Sequence, residues 1–246
     1  MRITRTPRTA PTTRRTLLRA SASAATAAAG VLAAGSSPVG AAPRSRSATA
    51  ARPAAPAAAL KELAAGNRRW RTFHQRHPHE TAGVRSALVS GQSPFALILG
   101  CIDSRVPPEL VFDQGLGDLM TVRSAGEVLD EAVLGSIAYG VLELGIPLVV
   151  VLGHQSCGAV AAAVHAEETG ESLPAHIQYV ADQIRPAIVH GQHGDARVDA
   201  TVSAQVRLVR SRLAREADLA AKVAAGELAI VGARYELSTQ LVHRVA

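Results

Sequence analysis

The chain has 246 residues, 48% hydrophobic and 19% charged, which is enough apolar material for one or two domains with a sizeable core. Its formal charge of +6 invites a nucleic-acid reading, but nine arginines and no acidic residue precede Leu60, so the remainder holds more Asp and Glu than Lys and Arg. With three Tyr, three Phe and one Trp as well, the chain lacks both the basic footprint and the stacking surface of a nucleic-acid binder, which argues against that class.

The N-terminus reads as an export signal. "TTRRTLLRAS" (Thr12 to Ser21) pairs Arg14 with Arg15 ahead of Leu17 and Leu18, and an Ala/Gly-rich stretch follows that ends in small residues. It resembles a twin-arginine leader, is too short and too mildly apolar for a membrane span, and offers a small-x-small cleavage site after Ala41. The expectation is a signal over residues 1–41 and delivery to the extracellular, periplasmic or cell-wall space, with no stable membrane span after cleavage. The alternative is a disordered Arg/Ala/Ser tail on a cytosolic protein. Residues 42–59 have no periodicity and read as a disordered linker, with a single catalytic domain over 60–246.

Leu60, Leu63, Asn67, Trp70 and Phe73 fall at helical spacing and predict an N-terminal amphipathic arm, weakened in its middle by Gly66. "HQRHPHE" reads as a solvated loop and "GVRSALVSG" as a short helix. Phe95 to Leu99 is a buried strand by length and apolarity, and a second short strand follows near Leu119. Val128 to Gly145 has helical period and stops at Gly145 and Pro147; Leu148 to Leu152 is the third strand. A helix from "CGAVAAAVHAEETG", two or three helical stretches over 175–225 and a last strand in "LAIVGARYELSTQLV" complete an α/β fold. Its central sheet is mainly parallel and flanked by helices.

The chain has only two cysteines, and each stands in a polar cluster at the end of an apolar strand. "CIDSR" puts Cys101, Asp103 and Arg105 after the first strand; "GHQSCG" puts His154 and Cys157 after the third. Ligands of α/β sheets sit outside the carboxyl ends of the strands, so these side chains can converge. Two thiolates and an imidazole suit Zn(II) and leave a fourth position open, the ligand count of a catalytic zinc. Asp103 can either take that position or turn to Arg105, whose planar fork matches a carboxylate. The cysteine count alone allows a disulfide equally well, and each cluster alone has a bland structural explanation; their joint occurrence favours a metal.

The paired signature "CIDSR…GHQSCGAV" resembles the β-class carbonic anhydrases, whose pattern is C-x-D-x-R followed by H-x-x-C. The resemblance runs from about Leu60 to the C-terminus. It implies one Zn(II) per chain held by Cys101, His154 and Cys157, with Asp103 and Arg105 as catalytic dyad and Asp103 as fourth ligand in a closed state. It also implies reversible hydration of CO2 to bicarbonate and a proton by zinc-bound hydroxide, in a homodimer or higher assembly. Among plant-type members, Gln92 matches a glutamine given to the partner's active site, Tyr139 a pocket tyrosine, and Gly158 a glycine beside the metal loop. "MTVRSAGE" (Met120 to Glu127) departs from the usual "F-V-V-R-N-A-G-N": Met120 replaces a pocket phenylalanine, and Ser124 and Glu127 replace asparagines. Ile98 stands where bicarbonate-regulated members carry tryptophan, so no allosteric bicarbonate site is expected. Two rivals follow from the same residues: a zinc enzyme acting on another small electrophile such as CS2, and a non-catalytic exported protein that binds zinc or carries a disulfide.

Overall fold

A computed structural model describes residues 52–246; residues 1–41, expected to be an export signal, and residues 42–51 of the expected linker lie outside the described residues. In chain order the elements are α1 (Pro56–Arg71), α2 (Ala82–Leu88), β1 (Ala96–Gly100), α3 (Pro108–Val111), β2 (Leu119–Arg123), α4 (Glu131–Ala138), β3 (Leu148–His154), α5 (Gly158–Thr169), α6 (Ile177–Ile184), α7 (Gly194–Leu213), α8 (Ala217–Ala224), β4 (Ala229–Tyr235) and β5 (Val242–Val245). They form one five-stranded sheet in the order β2-β1-β3-β4-β5, parallel except for β5. Among the described residues no helix is long and apolar enough to cross a membrane.

β1 and β3 are buried along their whole length because helices cover both faces of the sheet, which is why they are continuous apolar runs rather than alternating ones. Successive side chains still point to opposite faces. Ile98, Val150 and Leu152 pack with Ala59 and Leu63 of α1 and with Val111 and Phe112. Leu97, Leu99, Val149 and Val151 pack on the other face with Ile137 of α4, Val206, Val209 and Leu213 of α7, and Leu219 of α8.

The arm begins at Pro56, ahead of Leu60, with proline in the first turn where its missing N–H costs nothing. Gly66 is there for packing: a Cβ would lie 1.7 Å from the Phe112 carbonyl oxygen, so only glycine lets α1 approach α3 this closely. Asn67, at helical spacing with the apolar residues, is a buried polar clamp. Its Nδ2 donates to the carbonyls of Val111 (3.1 Å) and Gln240 (2.9 Å), and its Oδ1 accepts from the Val242 N–H (2.9 Å).

The helix expected from Val128 starts later. Asp130 caps α4 by accepting from the Val133 N–H at 2.8 Å, and Ala125–Glu127 forms a 3-10 turn instead. α4 then runs into a π-helical turn over Tyr139–Glu143 and ends at Gly145, whose φ of +66° suits glycine. β5, expected only as the exit from the last strand, pairs antiparallel with β4 at the sheet edge.

Candidate metal centre

β1 has β2 on one side and β3 on the other, so the chain runs in opposite directions across the sheet from β1, and a crevice opens at the β1/β3 carboxyl ends. The register sets Gly100 beside Leu152, so the next residues out of the two strands emerge together. Cys101 directly follows β1, His154 ends β3, and Cys157 is the N-cap residue of α5. The turn between them is tight enough to force Ser156 to a φ of +54°.

All three side chains are buried, and one ligand atom from each lies within 4.8 Å of the others. The sulfurs of Cys101 and Cys157 are free thiols 3.9 Å apart, far beyond the S–S bond length of about 2.05 Å. His154 Nδ1 is hydrogen-bonded to the Gln155 carbonyl at 2.9 Å, which places its proton there and leaves Nε2 as an acceptor. That Nε2 is buried and has no hydrogen-bond partner. A buried, unpartnered acceptor within 4.8 Å of two thiol sulfurs is costly unless a cation satisfies it, so the donor set fits Zn(II). The hydrogen bond between the thiols holds Cys101 well below the usual thiol range and pushes Cys157 up, so the pair shares a proton that a cation displaces.

The surrounding loops fix these ligands. The Gly126 N–H points at Cys101 Sγ, 3.4 Å away. The Arg123 guanidinium binds three carbonyls of the loop after β1: Cys101 (2.8 Å from Nε), Asp103 (2.6 Å) and Val106 (3.4 Å). Asp103 is turned to Arg105, accepting from Nε at 2.9 Å, from a terminal nitrogen at 2.7 Å and from the Arg105 backbone N–H at 2.9 Å. Those bonds hold its carboxyl down to about 2, so it is ionised throughout the neutral range. Its Oδ2 still lies 3.8 Å from His154 Nε2, beside the Cys-His-Cys cluster.

A cavity of about 620 Å³ opens over the centre, lined by Cys101, Asp103, Gly158 and an apolar wall made by α5, α6 and the loop that joins them, including Ala159, Leu173 and Val180. Of the expected pocket residues, Gly158 lines this cavity. Gln92 and Tyr139 are exposed, and Met120 packs against the Leu97 face of the sheet; these three do not line the cavity of their own chain. The sequence also gave no place to Glu127. It is fully buried, its Oε1 has no partner, its φ is +53°, and burial followed by the charge of Cys101 pushes its carboxyl well up. The α5–α6 wall went unread because "LPAHIQYV" carries no motif; only its packing brings it to the site.

Residues 96–242 match the family profile described as carbonic anhydrase. The chain is 45% identical over 184 residues to "Carbonic anhydrase 2" of Mycobacterium tuberculosis, covering 74% of this chain and 89% of that one. It is 43% identical over 185 residues to a carbonic anhydrase of Mycolicibacterium smegmatis, covering 74% and 90%. Among solved structures it resembles Coccomyxa β-carbonic anhydrase in complex with acetazolamide, with a TM-score of 0.61, 25% identity and coverage of 76% and 86%. It shares the fold, at a TM-score of 0.63, 18% identity and coverage of 76% and 96%, with β-carbonic anhydrases of Sordaria macrospora described as tetrameric. With a Cys-His-Cys centre typical of zinc at the strand ends and relatives this similar, the chain belongs to the β-class carbonic anhydrases, which interconvert CO2 and water with bicarbonate and a proton.

Proposed function

We propose that Cys101, His154 and Cys157 hold one Zn(II) per chain and that Asp103 and Arg105 are the working dyad beside it. The observation that carries this is the unpartnered, buried Nε2 of His154 within 4.8 Å of two free thiols. Bound there, zinc supplies the Lewis acidity that brings the pKa of water toward neutrality. Arg105 keeps Asp103 ionised and turned aside, so that Asp103 would not occupy a metal held by the cluster and water could reach it. From that place Asp103 accepts a hydrogen bond from the attacking oxygen and turns a lone pair toward the carbon of CO2, a gain in orientation. The apolar wall of Ala159, Leu173 and Val180 receives CO2 without competing hydrogen bonds.

The same reading takes the chain as an exported homodimer or larger assembly. Exposed Tyr139 and Leu142, on the turn after α4, are apolar surface of the kind that interfaces cover. Gln92 and Tyr139, which are exposed and do not line their own chain's cavity, are residues that a partner copy's site can use. The paired arginines of the leader support export.

Stopped-flow CO2 hydration across pH, with zinc measured on the same sample of the chain from Ala42 onward, tests the central reading. One zinc per chain and a rate rising with pH are expected; bound zinc without hydration refutes it. Light scattering on that sample reads the assembly, and N-terminal sequencing of secreted protein is expected to begin at Ala42.

A further inference from the structure

Each CO2 hydrated leaves one proton to remove, and an apolar cavity offers few groups to take it. Among the described residues lining the cavity, only Cys101, Asp103 and His176 carry acid–base side chains. Cys101 belongs to the metal set. Asp103 has both oxygens engaged by the Arg105 guanidinium, at 2.9 and 2.7 Å. His176 is left. It lines the same cavity and is exposed to solvent, so one side chain faces both the reaction space and bulk water. It is the N-cap residue of α6, yet its side chain makes no capping hydrogen bond, so its ring is not tied to that helix end. Its neighbours on the wall, Leu173, Ile177 and Val180, carry no competing base.

We infer that His176 is the proton-transfer residue of this site, an inference that rests on the CO2-hydration reading. The attacking water gives up one O–H proton, which passes through cavity water to a ring nitrogen of neutral His176. The imidazolium then hands that proton to a buffer base in bulk solvent and returns to neutral. Only a proton moves, and no redox partner is needed. Imidazole is suited to the task because it exchanges protons near neutral pH.

The test compares zinc-loaded wild type with His176→Ala and His176→Gln in stopped-flow hydration at saturating CO2, from low to high buffer concentration, with zinc content measured alongside. At low buffer, kcat of both variants is expected to fall about tenfold or more. Their kcat/KM and zinc content hold, and high buffer or added imidazole restores kcat. CO2–bicarbonate exchange at chemical equilibrium, which needs no net proton release, is expected to match wild type. Wild-type kcat at low buffer in both variants overturns the inference. So does a loss that neither buffer nor imidazole repairs, which marks a structural role. A wild type inactive at every buffer concentration overturns the hydration reading itself, and this inference with it.

Discussion

Gly153 immediately precedes His154 in β3 and has no room for a side chain. A Cβ there would lie 2.5 Å from Val206 Cγ2 and 3.2 Å from Val202 Cγ1, both on α7 and both buried. Carbon contacts settle at about 3.5–4.0 Å, so Gly153→Ala forces α7 and the end of β3 apart by roughly 1 Å. Overpacking of this kind costs about 1–3 kcal/mol, and each kcal/mol lowers Tm by about 2–4 °C in a chain of this size. The expected loss in thermal unfolding is therefore about 2–12 °C. His154 moves with the strand end, so zinc retention against a chelator should fall about tenfold. Gly135→Ala is the control: it sits in α4 with nothing within 4 Å of its Cβ, and removing glycine from a helix interior gains about 0.5–1 kcal/mol. A Gly153→Ala protein as stable as wild type, or stabilised like Gly135→Ala, refutes the packing argument.

Cys157→Ser should lose zinc and activity together; full metal content by atomic absorption would remove Cys157 from the ligand set. Asp103→Ala should keep zinc yet lose about a hundredfold in kcat/KM, because the attacking oxygen loses its orienting acceptor; near-normal turnover would end the dyad reading. Glu127→Gln addresses a carboxyl whose pKa is raised in the fold above the ordinary 4.5, so the folded chain binds its proton more tightly and wild-type stability falls as pH rises past that value. The variant should gain Tm over wild type increasingly from about pH 4.5 toward neutrality and match it below; a difference independent of pH would contradict this.

The local chemistry of this protein was legible in its sequence. Short uninterrupted apolar runs at Leu97 and Val149 read as strands covered on both faces, and polar clusters that end such runs lie at the carboxyl edge of a parallel sheet. "CIDSR" and "GHQSCG" thus pointed to Cys101, His154 and Cys157, the residues the fold brings together, since ligand type and strand position are properties of short segments.

What depended on distant packing was hidden. Gly66 reads as a weak point in a helix until Phe112 is seen against it, and Asn67 reads as one more position on an apolar stripe until its three bonds to α3 and the final strand appear. β5 is short and carries exposed His243 and Arg244, so only its pairing with β4 identifies it. Glu127 and His176 show the same divide. Each is an ordinary polar residue in its own segment, and tertiary structure alone buries one near the metal centre and sets the other on the cavity wall. The sequence determined which groups could bind and react, because that chemistry belongs to each side chain; the fold decided which of them meet, because strand order and helix packing join residues far apart in the chain.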